Sequence, residues 1–323
     1  MTQKDLLKIY LRYLELNPLQ GDPIELYEPA NYILNLGGKR IRPLLCLMGY
    51  NLYKNDVEQA LVLAHAVEVF HNFTLIHDDI IDKAPLRRGF ATVHKKWDIN
   101  RGILSGDAML VRAYSEMFGL DASPEVKCQL ASNFSTMAED VCRGQQMDVN
   151  FESMKSVSEE EYIEMTRLKT SVLLGFSLQS GAILAGANDS DAQKLYAYGV
   201  YTGIAFQIMD DILDAFGGER VGKQVGGDLI ENKKTILLIE LIKRASSEDL
   251  SDIQLLTTQK FITDSEKVNR LLVMLEKYDV RLYALERMND FFSKADGILG
   301  DIQTPNSKKY VSELTETLRI RTE

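Results

Sequence analysis

Cysteine is scarce in this sequence: Cys46, Cys128 and Cys142 are the only three among 323 residues. Their odd number, wide spacing and lack of any zinc-ligand interval exclude a disulfide framework and a structural zinc site. They read as reduced thiols of a cytoplasmic protein. Positive charge is short as well, with 37 Lys and Arg against 47 Asp and Glu and a net charge of -10. That balance excludes nucleic acid as the main partner, because a phosphate backbone needs a basic face. Any anion must be bound locally, by gathered basic residues or through a metal. The segment Met1–Tyr10 carries Lys4, Asp5 and Lys8 and has no signal-peptide core. One charge-free run, Thr170–Asn188, contains Ser177, Gln179, Ser180 and three glycines. It reads as a buried core helix, so no integral membrane association is expected.

Proline is missing between Pro124 and Pro305, and so are β-branched runs of period two. Proline breaks helix interiors, so its absence permits long helices. Apolar residues recur at intervals of three and four instead, as in Leu271, Leu272, Met274, Leu275 and Tyr278. Ser123-Pro124-Glu125 offers a helix start with proline at the first position, Ser158 to Glu161 a capping box, and Asp189-Ser190-Asp191 a further cap. The pattern predicts about ten or more helices, the informative ones near 56–82, 104–119, 124–150, 159–187, 191–216 and 232–246. Loops are expected over Lys83–Asn100 and Gly217–Asp228. With no linker or repeat, residues 1–323 read as one all-α domain.

Two acidic clusters stand at the ends of apolar helices: Asp78-Asp79-Ile80-Ile81-Asp82 and Asp210-Asp211-Ile212-Leu213-Asp214. Both have the form DDxxD, which puts the first and last aspartates on one helix face. Like charges at that spacing repel, and the helix C-terminus adds partial negative charge. One such cluster is equally well a solvated helix end. Two, each followed by a glycine-containing basic loop, suggest two halves of one cation site. Hard oxygen ligands suit magnesium, which is usually held by one or two carboxylates and substrate phosphates.

Basic residues gather near these clusters. Arg87-Arg88-Gly89 follows Asp82, Gly37-Gly38-Lys39-Arg40-Ile41-Arg42-Pro43 precedes a helix, Lys169-Thr170 precedes the apolar run, and Lys223 and Lys233 flank Gly226-Gly227-Asp228. Arginine grips phosphate with two N–H groups, lysine acts as a point charge, and glycine lets the backbone approach an anion. Each group alone reads as surface charge; together they suggest two anion sites. The Gly-Gly-Lys segment is not a P-loop, lacking its spacing and a preceding strand.

The segments GGKRIRP, HDDIID with RRG, GQQMD, LKTS, QIMDDILD and GKQVGGDLIENKKT occur in an order that resembles the trans-isoprenyl diphosphate synthases, or polyprenyl synthetases, from roughly Tyr32 to Leu241. The resemblance implies a helical bundle around a central cavity, a homodimer, and condensation of isopentenyl diphosphate with an allylic diphosphate (dimethylallyl, geranyl or farnesyl). It implies that Asp78 and Asp82 bind two magnesium ions and Asp210 a third, with Asp211 and Asp214 supporting. Arg87, Lys169, Lys223 and Lys233 would contact the allylic diphosphate, and Gln145 and Asp148 match a GQxxD motif of the site. Thr170 and Gln207 would lie beside the carbocation. Lys39, Arg42, His71 and Arg88 would bind isopentenyl diphosphate. Asn232 stands where the family usually has glycine, and Leu237 where proline is common.

In this family the growing chain runs down past the residues four and five before the first DDxxD, here Thr74 and Phe73. A ring at Phe73, with no second blocking feature, points to geranylgeranyl diphosphate as product. A farnesyl or longer polyprenyl synthase is the alternative. A class I terpene cyclase would not need Lys39, Arg42 and Arg88, the GGKRIRP segment does not fit squalene-type synthases, and a non-catalytic subunit would have lost aspartates or arginines that this chain keeps.

Overall fold

The computed structural model describes residues 1–217, 226–258 and 263–319. Helix is almost the only regular element among them, as the proline-poor, helix-periodic sequence requires. Contacts group the chain into two compact units: Met1–Thr136 with Leu173–Tyr196 and Asp301–Val311, and Met137–Val172 with Ala197–Gly300 and Ser312–Glu323.

The first unit holds α1 (Gln3–Leu16), α2 (Ile24–Asn35), α3 (Ile41–Asn51), α4 (Leu61–Ile81), the short α5 (Val93–Lys96) and α6 (Ile99–Phe118). It also takes the start of α7 (Pro124–Ser153), all of α9 (Val172–Leu184) but its first residue, and the start of α10 (Asp189–Phe216). Helix α4 packs against α1, α2, α3 and α6 and is apolar nearly all round, which is the pattern of a buried helix. Its Phe70 ring meets Phe134 at 4.9 Å between centroids, and Phe134 meets Tyr114 at 4.7 Å and Phe176 at 5.6 Å. Full burial of a ring such as Phe134 stabilises by roughly 1.5–3 kcal/mol, so this cluster is a principal part of the core.

The second unit holds the rest of α7, then α8 (Glu159–Thr166), a π turn (Arg167–Ser171), the larger part of α10, α11 (Gly227–Glu231), α12 (Ile236–Arg244), α13 (Ser247–Thr258), α14 (Asp264–Lys277), α15 (Val280–Gly300) and most of α16 (Lys309–Arg319). Glu159, at the start of α8, accepts hydrogen bonds from the Tyr283 hydroxyl and from Arg287 Nε, the latter at 2.7 Å, and so ties α8 to α15.

Several expectations change in detail. The capping box forms, with Ser158 Oγ and Glu161 Oε2 each accepting from the other's backbone N–H at 3.2 and 2.8 Å. The cap of α10 is Asn188, whose Oδ1 accepts from Asp191 N at 2.9 Å, not the acidic run after it. The segment expected as one helix over 159–187 slips into the π turn at 167–171. The expected loop 83–100 contains a small hairpin, Leu86–Arg87 against Phe90–Ala91. Its turn residues Arg88 and Gly89 both have positive φ, 54° and 81°, the conformation of a tight two-residue hairpin turn. One helical stretch, Glu58–Ile81, is long and apolar enough to cross a membrane by composition, and 72% of its window is buried inside the protein.

Candidate active site

In the first unit, the acidic cluster closes α4. Asp79 is buried, Asp78 is half-buried and Asp82 is exposed at the helix end. The hairpin carries Arg87 back onto the cluster, where Nε donates to both Asp79 oxygens at 2.9 and 2.8 Å and Nη2 to Oδ1 at 2.7 Å. Asp78 Oδ2 lies 3.9 Å from the same guanidinium. Burial pushes the Asp79 carboxyl up, and Arg87 pulls against it. The middle aspartate therefore aims Arg87, while Asp78 and Asp82 lie one turn apart at the helix end. Sequence reasoning passed over Asp79, although its place in DDxxD turns it about 100° around the helix from Asp78.

Beside this cluster the glycine-rich segment turns into α3. Arg40 sits at φ 50° and points inward, donating to Glu68 Oε1 and to the Leu34 carbonyl. That buried anchor, also missed from sequence, separates exposed Lys39 from half-buried Arg42. Arg42 Nη1 lies 3.1 Å from His71 Nε2. A guanidinium only donates, so Nε2 accepts and the imidazole proton is assigned to Nδ1. Burial, then Arg42, Arg88, Arg87 and Arg40, holds the His71 pKa well below its ordinary 6.5. Arg88 reaches across to donate to the Gly37 carbonyl. Glycine at residue 38 leaves room for this guanidinium, since a Cβ there would lie 2.8 Å from Arg88 Cζ and push it aside. The structure thus brings Arg42, His71 and Arg88 together on the glycine-rich turn.

On the core side of Asp78, the Phe73 ring is buried between His77, at 4.8 Å, and Phe70, at 5.4 Å. Thr74 turns its hydroxyl to the His71 carbonyl at 2.8 Å.

In the second unit, the other acidic cluster lies in the last turns of α10. Asp211 is buried and accepts from Tyr162 Oη at 2.6 Å and Gln207 Nε2 at 3.1 Å. Burial, reinforced by Asp228, pushes its carboxyl up to about 8. Tyr162 was not anticipated; its only sequence signal is a position two turns before Lys169. Asp214 Oδ2 accepts from Asp228 N at 2.9 Å and the Asp214 carbonyl from Gly226 N at 2.7 Å, so this aspartate also anchors α11. Asp210 is half-buried beside them.

Lys169 and Thr170 occupy the π turn, a distortion that often marks functional positions in helices. Lys169 Nζ pairs with Asp148 Oδ2 at 2.5 Å, and Thr170 Oγ1 donates to Gln207 Oε1 at 3.4 Å. Gln145, one turn before Asp148, has a buried Nε2 with no hydrogen-bond partner among the described residues. Lys233 Nζ lies 3.4 Å from Glu231 and 3.7 Å from Asp228. A cavity of about 100 Å³ is lined by Asp148, Tyr162, Lys169, Thr170, Gln207, Asp211, Asp228 and Lys233, among others. Lys223 lies outside the described residues.

Among the described residues no three His, Cys, Asp or Glu side chains converge as a closed metal cage. A hard cation such as magnesium takes one or two protein carboxylates and completes its shell with phosphate and water. Asp78, Asp82 and Asp210 have the right donor chemistry.

A model of the polyprenyl synthetase family matches residues 23–275, extending past the motif-bearing stretch into α14. A geranylgeranyl pyrophosphate synthase of Geoglobus acetivorans is 36% identical over 315 residues, 98% of this chain and 97% of that protein. A geranylgeranyl diphosphate synthase of Saccharolobus solfataricus is 38% identical over 300 residues, covering 90% and 89%. Among solved structures, a crystal structure of a geranylgeranyl pyrophosphate synthase matches with a TM-score of 0.93 at 43% identity, over 99% of this chain and 98% of that one. With motifs, helical fold and near-full-length identity in agreement, this chain belongs to the polyprenyl synthetase family.

Proposed function

We propose that this trans-prenyltransferase extends an allylic diphosphate with isopentenyl diphosphate and stops at geranylgeranyl diphosphate. Asp78, Asp82 and Asp210 would hold the magnesium that serves the allylic diphosphate, with Asp211 and Asp214 supporting. Magnesium, when bound, neutralises the charge that builds on the leaving diphosphate. Arg87, Lys169, Lys223 and Lys233 bind that group directly, and Gln145 offers its amide to it. As the allylic carbon–oxygen bond breaks, the oxygens of Thr170 and Gln207 face the cation. Lys39, Arg42, His71 and Arg88 hold the diphosphate of isopentenyl diphosphate while its double bond attacks. A new carbon–carbon bond forms, and the proton then lost passes to the departing diphosphate. Water has to be kept from the cation, which it would otherwise capture.

The observation that carries this reading is the gathering of Arg42, His71 and Arg88 on the glycine-rich turn. A terpene cyclase, which consumes one diphosphate, has no use for it. Geranylgeranyl diphosphate as product is supported by the likeness to the two geranylgeranyl synthases above and by the buried Phe73 ring resting on Phe70. Phe73→Ala should shift the product to longer chains, read by chromatography of the hydrolysed products; an unchanged distribution removes Phe73 as the floor. A homodimer is supported by the exposed apolar side chains Ile103, Leu104, Val111 and Phe118 on α6, which water disfavours. Cytoplasmic location is supported by free thiols at Cys46, Cys128 and Cys142.

The test is incubation of purified protein with magnesium, labelled isopentenyl diphosphate and each allylic starter. Label should appear in geranylgeranyl diphosphate. Cyclised hydrocarbon made without isopentenyl diphosphate would overturn the assignment.

A further inference from the structure

We propose that Lys267, on α14, is a positioning residue for the segment 226–235, holding Lys233 in place through a clasp on Asn232. The inference rests on the assignment of Lys233 to the allylic diphosphate made above.

Asn232 ends α11 at φ 58°. Glycine takes that conformation at no steric cost, and asparagine at a small one. In exchange, asparagine adds a side chain that works in two directions. Its Oδ1 accepts from Lys267 Nζ at 2.7 Å, and its Nδ2 donates to the Thr257 carbonyl at 3.3 Å. The same Nζ donates to the Ile230 carbonyl at 2.8 Å, satisfying an acceptor in the last turn of α11. Lys267 is only 8% exposed, so its ammonium depends on these acceptors. The next residue of α14 grips the other end of α11: Gly226, at φ 76°, lies so close that a Cβ there would sit 2.7 Å from Val268 Cγ1.

Between these grips lie the groups of the proposed site. Asp228 N donates to Asp214 Oδ2 at 2.9 Å, and Lys233 N donates to the Asp228 carbonyl at 2.9 Å. Lys267 touches none of the reacting groups. It fixes the backbone at residues 230 and 232, immediately before Lys233. The C-terminal helices thereby enter the function through one buried ammonium.

The test compares Lys267→Met, Asn232→Gly, the double variant and the conservative Lys267→Arg with wild type. Amide hydrogen exchange of residues 226–235, without metal or substrate, should quicken roughly three- to tenfold in each single variant. The double variant should be no faster than the faster single one, and Lys267→Arg should restore protection. KM for the allylic diphosphate should rise by a similar factor while KM for isopentenyl diphosphate stays fixed. Asn232→Gly keeps the backbone conformation and carries the test if Lys267→Met fails to fold. Unchanged exchange in the folded variants overturns the clasp, and so does faster exchange with both KM values unchanged while Lys233→Ala raises the allylic KM. Lys233→Ala with normal kinetics overturns instead the assignment of Lys233.

Discussion

His71 sits among four arginines and lies 3.1 Å from Arg42, so adding a proton to it means adding charge to charge. Its pKa in the folded chain is therefore well below 6.5, while the unfolded chain titrates near that value. Between the two values the unfolded state binds more protons, so stability is full above about pH 6.5 and is lost as pH falls. His71→Asn removes the group. The melting temperature of this variant relative to wild type should rise as pH is lowered from 6.5, read by thermal denaturation. A difference constant with pH would show that His71 accepts protons freely in the folded chain. The same reasoning limits what sequence can convey at this scale. HDDIID made Asp78 and Asp82 legible because helix spacing alone puts them on one face. It did not show that Asp79 turns away to hold Arg87, nor that Arg40 points inward between Lys39 and Arg42. Those depend on partners that only the folded chain brings near, such as Glu68 for Arg40.

Helix α4, with its long apolar pattern, and the capping box of α8 were legible from periodicity and cap residues. The π turn was not, because its residues Arg167–Ser171 include no proline or glycine to mark a break in the helix. Nor was the hairpin at Leu86–Ala91, whose strands are too short to show alternation. Both departures carry residues of the proposed site, Lys169 and Thr170 on one and Arg87 and Arg88 on the other. The π turn is accommodated by Gly144 on α7, where a Cβ would lie 2.2 Å from Lys169 N. Backbone blocks backbone there, so no side-chain rotation relieves it. Gly144→Ala should destabilise the protein by about 1–3 kcal/mol and displace Lys169. Turnover should fall at least about tenfold, a barrier change of about 1.4 kcal/mol, with KM for isopentenyl diphosphate little changed. Steady-state kinetics beside thermal denaturation check both; a variant as stable and active as wild type would show that the turn absorbs a methyl group.

At the scale of the molecule, an acidic protein of net charge -10 has to hold two diphosphates. In the proposed site it does so by concentrating basic side chains locally and by recruiting divalent cations, which is why composition excluded nucleic acid yet permitted phosphate ligands. The C-terminal region beyond about residue 245 carried no motif in the sequence, and its contribution became visible only as packing: Lys267 reaches Asn232 across 35 residues of chain. The proposed homodimer belongs to this scale too. Light scattering should return twice the 36.5 kDa chain mass, and a monomer of full activity would remove the dimer from the account. In the proposed reaction, carboxylates from both DDxxD clusters act through magnesium on one diphosphate. Calorimetric titration of inorganic diphosphate into wild type, Asp78→Ala and Asp210→Ala, with and without magnesium, tests it most directly. A magnesium-dependent component of binding should appear in wild type and be weakened by orders of magnitude in both variants. A magnesium-dependent component of wild-type affinity in either variant, or its absence from wild type, would contradict it.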